Sequence, residues 1–362
     1  DATGGLSGYS KRSGFLHDAS LSTQRHHPTV PRDASHRCIA ACLLPIRGST
    51  RAGLERRCNR RAGWLVPTRT GCWCKIAEGA DVAVQLAQAG HVGIVLHYRL
   101  PAGRPEVPLV DVLEAMEIVR QQPPHLALPL ASQHWSRSWA AIHPRRVGVM
   151  GFSAGGHLAA LAATKFTSQV NRPDFAILMY PVVSLENNTH ANSKREYVGP
   201  QATSADLRAY SADRHVSANT PPTFLAHALD DKIVPPASSR MYFDACWRQG
   251  AACTLVEMSE GGHPFITKLH AWEPARYAAL SWLRATVFAR DGAASSTTSA
   301  SGLAQELRRL PNVARVHESR ATRRHQHRVE DGHSYYREVE SEMLRQRLGR
   351  SLSWRDRAMR RS

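Results

Sequence analysis

The sequence predicts an α/β protein, a mostly parallel sheet with helices on both faces. Three observations lead there. Between residues 80 and 285, apolar runs of strand length alternate with segments of helical spacing. One of those strands runs straight into a helix through a Gly-x-Ser-x-Gly turn. An acid and a histidine then follow on loops just past two later strands, where open parallel sheets hold their ligands.

The alternation can be read off in chain order. "ADVAVQLAQAG" has the apolar spacing of a helix, "VGIVLHY" is a buried-strand run, and "VPLVDVLEAMEIVRQ" is helical again. "RVGVM" is the strand before the turn and "GGHLAALAATKF" the helix after it. "FAILMYPVV" and "PTFLAHAL" are strands, "PASSRMYFDACWRQG" is a helix ending at Gly250, "CTLVEM" is a strand, and "AWEPARYAALSWLRATV" is the last helix. Parallel neighbours cannot be joined by tight hairpins, so the intervening helices are crossover connections that cover both faces of the sheet.

The two ends read differently. Residues 1–70 are rich in Arg, Ser, His and Pro and have little periodicity, so this arm is expected to be disordered and to contribute no recognisable strands. Residues 71–288 are the expected catalytic domain, interrupted by a loop insertion at residues 121–134, "QQPPHLALPLASQH". Residues 289–362 read as a basic low-complexity tail whose last part has the pattern of a terminal helix.

Composition narrows the function classes. Lys and Arg number 47 against 30 Asp and Glu, a net charge of +17 in 362 residues. The Arg excess lies mostly in the two ends and is not interleaved with aromatic residues, so no nucleic-acid partner is expected. The seven cysteines lack the paired spacing of a zinc site, and the chemistry read below requires neither metal nor cofactor. No apolar run reaches the length of a membrane span. The chain starts with Asp and shows no leader, so localisation is not assigned.

The chemistry centres on "VGVMGFSAGGHLAAL", where Gly151, Ser153 and Gly155 form the turn. A serine at the tip of a tight strand-to-helix turn sits in a strained backbone, and the flanking glycines let strand and helix pass closely. The helix N-terminus points unpaired N–H groups at the same place, suited to a developing oxyanion. A serine hydroxyl is a weak nucleophile and needs a base that is itself held by a carboxylate. Asp231 in "DDKIVP" and His263 in "EGGHPF" supply both, in the chain order Ser, Asp, His. Asp231, three residues before Val234, is taken as the acid, and Asp230 is expected to cap the turn. His157 is expected to pack the nucleophile helix, and Asp111 to be a buried hydrogen-bond partner outside the catalytic set. Asn187 opens an Asn-Asn-Thr sequon, relevant only to a secreted protein.

On "EGADVAVQLAQAG", "VLHYRLP", "VDVLEAMEIVR", "RRVGVMGFSAGGHLAA", "LMYPVVS", "SANTPPTFLAHALDDKIVP" and "EGGHPF", residues 78–285 resemble the α/β hydrolases of the xylan esterase, feruloyl esterase and dienelactone-hydrolase-like group. The resemblance implies an α/β-hydrolase fold, with Ser153 as nucleophile, Asp231 as orienting acid, His263 as general base and the Ala154 amide as one oxyanion donor. It also implies a substrate: a small-molecule or carbohydrate ester of a short acyl group, such as an acylated sugar or xylan.

One departure stands out. The Gly-rich loop that supplies the second oxyanion donor in that group is replaced here by "VPTRTGCWCKIAEG", where Gly71 is the candidate beside Cys72, Trp73 and Cys74. Two other readings follow. One is a catalytically impaired hydrolase-fold binding protein; the other is a peptidase of the prolyl-oligopeptidase type.

Overall fold

Period-two alternation decides which face of a sheet each side chain serves, and the strand Ala176–Met179 shows it at its simplest. Ala176 and Leu178 join one apolar cluster, Ile177 and Met179 another, and all four are buried. Both faces are therefore covered, as a strand with no polar face requires.

The computed structural model describes residues 38–42, 61–69, 76–121, 142–288 and 300–319. Its strands are β1 (Cys38–Cys42), β2 (Arg61–Arg69), β3 (Val92–Tyr98), β4 (Ile142–Phe152), β5 (Ala176–Met179), β6 (Thr223–Ala228), β7 (Cys253–Met258) and β8 (Val313–Glu318). They form one sheet in the order β1-β3-β2-β4-β5-β6-β7-β8. The six inner strands are parallel, and the two edge strands run antiparallel to their neighbours.

The helices are α1 (Asp81–Gln88), α2 (Glu106–Gln121), α3 (Ser153–Thr164), α4 (Ala191–Val198), α5 (Ser204–Ala209), α6 (Ala237–Gln249), α7 (Leu269–Leu283) and α8 (Ala300–Arg308). Helices α2, α3 and α6 pack on the face carrying Ile94, Val147, Val149 and Leu255. Helices α1, α7 and α8 pack on the face carrying Met150, Phe152, Phe224 and Val256. The Trp272 indole N–H donates to Gln85 at 3.0 Å and ties α7 to α1. Gly250 ends α6 in the left-handed conformation (φ 69°), as its position after the last helical residue predicts.

The sheet extends past both sequence boundaries. β1 and β2 both lie within residues 1–70, and β2 sits between β3 and β4. Its sequence, "RAGWLVPTR", hides it, because Arg flanks a short apolar run and Pro67 argues against a central strand. Pairing with β4 ends at Leu65, so Pro67 faces only β3, where its missing N–H costs less.

At the other end, α8 and β8 lie inside the stretch read as tail. Leu303, Ala304 and Leu307 form a short apolar stripe on α8, and Val316 of β8 joins the same cluster. The expected insertion beyond residue 121, Gly71 with Cys72, Trp73 and Cys74, residues 1–37 and the segment beyond 319 lie outside the described residues.

Candidate active site

Ser153 is the first residue of α3 and follows β4 without a connecting loop. Its φ of 50° lies in the left-handed region that a side-chain-bearing residue enters only at a cost of about 1–3 kcal/mol. The neighbouring glycines make that turn possible. A Cβ on Gly151 would lie 2.2 Å from the Gly155 carbonyl oxygen, and one on Gly156 would lie 2.9 Å from Pro181 Cβ. The turn thus brings β4, α3 and the chain after β5 within backbone contact and leaves the Ser153 side chain at the carboxyl edge of the sheet.

Ser153, Asp231 and His263 come together there. Ser153 Oγ lies 2.9 Å from His263 Nε2, and His263 Nδ1 lies 2.8 Å from Asp231 Oδ2. A carboxylate only accepts, so Nδ1 carries the proton and Nε2 presents its lone pair to the serine hydroxyl. Asp231 Oδ1 accepts from the Ile233 and Val234 amides at 2.8 and 2.9 Å, which fixes the carboxylate plane. Burial by itself would raise the pKa of Asp231. The hydrogen bonds from His227 and His263, and the proximity of the His263 ring, outweigh it and hold the acid well below the usual carboxylate range.

Three side chains around this set were not singled out from the sequence. His227, fully buried on β6, places Nε2 3.2 Å from Asp231 Oδ2 and 3.0 Å from the Val234 carbonyl. Both partners are acceptors, so Nε2 carries the proton, and Nδ1 accepts from the Ser239 hydroxyl at 2.7 Å. Tyr180, directly after β5 with φ 40°, sets its ring edge-on to His263 at 4.9 Å and donates its hydroxyl to Glu78 Oε1 at 3.1 Å. Burial pushes Glu78 up to about 7, against the opposing pulls of the Tyr180 hydroxyl and His263. His227 had a signal in the sequence, since it is a polar residue inside the apolar run "FLAHAL". Glu78 and Tyr180 come from elements separated by 102 residues, and nothing in their local sequence joins them.

The remaining predicted residues fall as follows. Ala154 is in the first turn of α3, whose amides have no partner within the helix. Buried His157 bonds the Tyr210 carbonyl through Nε2 at 2.7 Å, and burial lowers its pKa to about 4, so it is a neutral packing residue. Asp111 is buried and pairs with Arg99 at 2.6 Å. Asp230 reaches across to the histidine loop and accepts from the Gly262 amide at 2.7 Å, a tether between loops where the sequence suggested a local cap. Among the described residues, no cluster of three or more His, Cys, Asp or Glu is placed to hold a metal ion, and no helix is long and apolar enough to cross a membrane.

Comparison with known proteins places these observations among relatives. The pattern of a protein family described as alpha/beta hydrolase fold matches residues 70–267. An acetylxylan esterase of Xylanibacter ruminicola is 33% identical over 193 residues, covering 52% of this chain and 37% of that protein. Endo-1,4-beta-xylanase B of Butyrivibrio fibrisolvens is 28% identical over 195 residues, covering 50% of this chain and 28% of that one. The chain therefore spans about a third of the length of these relatives. Among solved structures, an acetyl ester-xyloside bifunctional hydrolase from Caldicellulosiruptor lactoaceticus superimposes with a TM-score of 0.56 at 26% identity, covering 73% of this chain and 93% of that one.

Proposed function

The chain belongs to the α/β-hydrolase fold family, and from that premise we propose that it is a serine esterase cleaving carboxylic esters of small acyl groups, with an acylated sugar as the substrate class. The observation that carries this reading is the continuous hydrogen-bond line from Ser153 Oγ through His263 to Asp231. Similarity to an acetylxylan esterase and to a bifunctional acetyl ester-xyloside hydrolase supports the sugar-ester side of it.

In the reaction, Ser153 Oγ attacks the ester carbonyl carbon while His263 Nε2 takes its proton. Asp231 keeps the imidazole in the Nδ1–H tautomer and stabilises the imidazolium as it forms. The Ala154 amide, at the positive end of α3, donates to the oxyanion. His263 then gives the proton to the departing alcohol oxygen as the carbon–oxygen bond breaks, leaving an acyl group on Ser153. Water, activated by the same imidazole, releases the acid.

The test is fluorophosphonate labelling of the purified protein alongside turnover of p-nitrophenyl acetate, each with Ser153→Ala. Labelling and turnover that both disappear in the variant support the proposal. A folded wild type that takes no label overturns it.

A further inference from the structure

Tyr180 links His263 to a second carboxyl, that of Glu78. The tyrosine follows β5 directly, is fully buried, and has φ 40°, a conformation that a residue with a side chain keeps only where its surroundings fix it. Its ring stands edge-on to His263 at 4.9 Å and to Phe265, further along the histidine loop, at 4.5 Å. Phe152, directly before Ser153, packs on it at 5.9 Å. The Tyr180 hydroxyl donates to Glu78 Oε1 at 3.1 Å.

Glu78 lies in the helical turn Ile76–Ala80, which runs into α1 and packs against α1, β2 and the turn Phe265–Thr267. Among the described side chains, Tyr180 and His263 are the titratable groups that act on its carboxyl. Asp81 of α1 is exposed, Val66 is the described side chain of β2, and Phe265–Thr267 carries no ionisable group.

Burial makes the Glu78 carboxyl keep its proton up to about 7, while the Tyr180 hydroxyl and the charge of His263 both favour its release. The pull between Glu78 and His263 is mutual. A positive His263 that favours the Glu78 anion is itself favoured by that anion, by the same free energy. The moment at which this matters is when His263 takes the Ser153 proton and becomes an imidazolium.

We infer that Glu78 is a positioning residue for His263: it anchors the Tyr180 ring that braces the imidazole, and its anion stabilises the imidazolium formed in the reaction, in addition to Asp231. The inference rests on the esterase reading and adds a second carboxyl to it. The ionised form that serves the reaction is the form that burial penalises, so rate and stability oppose each other at this residue.

The experiment measures kcat/KM for p-nitrophenyl acetate from about pH 5.5 to about pH 9 in wild type, Glu78→Gln and Tyr180→Phe. Fluorophosphonate labelling is the check on the nucleophile and urea unfolding the check on the fold. Glu78→Gln keeps an acceptor for the Tyr180 hydroxyl and cannot ionise. The ratio of wild type to Gln should be about one at the acid end, where neither carries a charge at this position, and should rise through about 7 to about 10-fold at the alkaline end. Lost packing would make the Gln variant slower and less stable together, whereas here it should be slower at the alkaline end and no less stable. Tyr180→Phe keeps the ring against His263 but removes the donor that favours the anion, so its rise over the Gln variant should come at higher pH than that of wild type. A labelled enzyme whose ratio stays flat or falls with pH, or whose Tyr180→Phe rise stays at the wild-type pH, overturns the inference and leaves the esterase reading standing. A folded wild type that neither labels nor turns over the ester overturns both.

Discussion

His227 Nε2 lies 3.2 Å from Asp231 Oδ2, the same oxygen that accepts from His263 Nδ1 at 2.8 Å. One carboxylate oxygen therefore stands between two imidazoles, one fully buried on β6 and one facing Ser153. The Ser239 hydroxyl on Nδ1 of His227 holds the buried ring in the tautomer that donates. In the proposed esterase reaction His227 would thus be a positioning residue, acting through Asp231.

Replacing His227 with Leu should remove that donor and leave Asp231 and the Val234 carbonyl without it. The expected result is a fall in kcat of about 10-fold or more with KM nearly unchanged, because the loss concerns the imidazolium formed in the transition state. Stability should drop by about 1–3 kcal/mol, the cost of orphaned buried polar groups. His227→Gln places an amide N–H near the position of Nε2 and should recover much of kcat. A Gln variant as slow as Leu would show that shape, not the hydrogen bond, is what matters.

Glu78 leads to a prediction in pH. Its carboxyl is pushed up to about 7 by burial, from an ordinary value of 4.5. The folded state binds its proton more tightly than the unfolded chain does. Its contribution to stability is therefore fully present below about 4.5 and lost as pH rises through about 7. Glu78→Gln cannot ionise and escapes that loss. The variant should match wild type in the free energy of urea unfolding near pH 4 and exceed it near pH 8 by about 2 kcal/mol, once partial exposure is allowed for. A difference independent of pH would contradict the assignment.

A steric prediction concerns β4, the strand that leads into Ser153. A Cβ on Gly148 would lie 2.2 Å from the ring of fully buried Phe175. Gly148→Ala should cost about 1–3 kcal/mol in thermal or urea unfolding. Phe175→Leu makes room, so the double variant should be more stable than the sum of the single effects by about 1 kcal/mol. Strict additivity would mean that the strand, and not the ring, absorbs the methyl group.

What the sequence revealed and what it concealed divide along physical lines. β3, "VGIVLHY", and β7, "CTLVEM", are mainly apolar runs because both their faces are buried, and such runs are visible without any partner. β2 has no such run; pairing on both sides makes it a strand, and pairing is not written in nine residues. The Ser153 turn was legible because its glycines answer a local clash, Gly151 against Gly155. Glu78 and Tyr180 meet His263 only through the stacking of distant elements, so their place beside it could not be read from spacing.

The adjacent acids of "DDKIVP" do different work, and substitution should separate them. Asp231 accepts from His263, and Asp231→Asn would favour the wrong imidazole tautomer, so kcat should fall by about 10³–10⁴-fold with folding preserved. Asp230 never touches the ring. Its Oδ1 accepts from the amide of Gly262, which has φ 59° and directly precedes His263, so it fixes where the histidine loop sits. Asp230→Ala should free that loop and lower kcat by about 10-fold or less. Asp230→Asn, whose Oδ1 still accepts, should retain nearly full activity. Steady-state kinetics on the three variants, with unfolding curves as the control, decide the matter. An Asp230→Ala loss as deep as that of Asp231→Asn would mean that the orienting carboxylate had been assigned to the wrong residue of the pair.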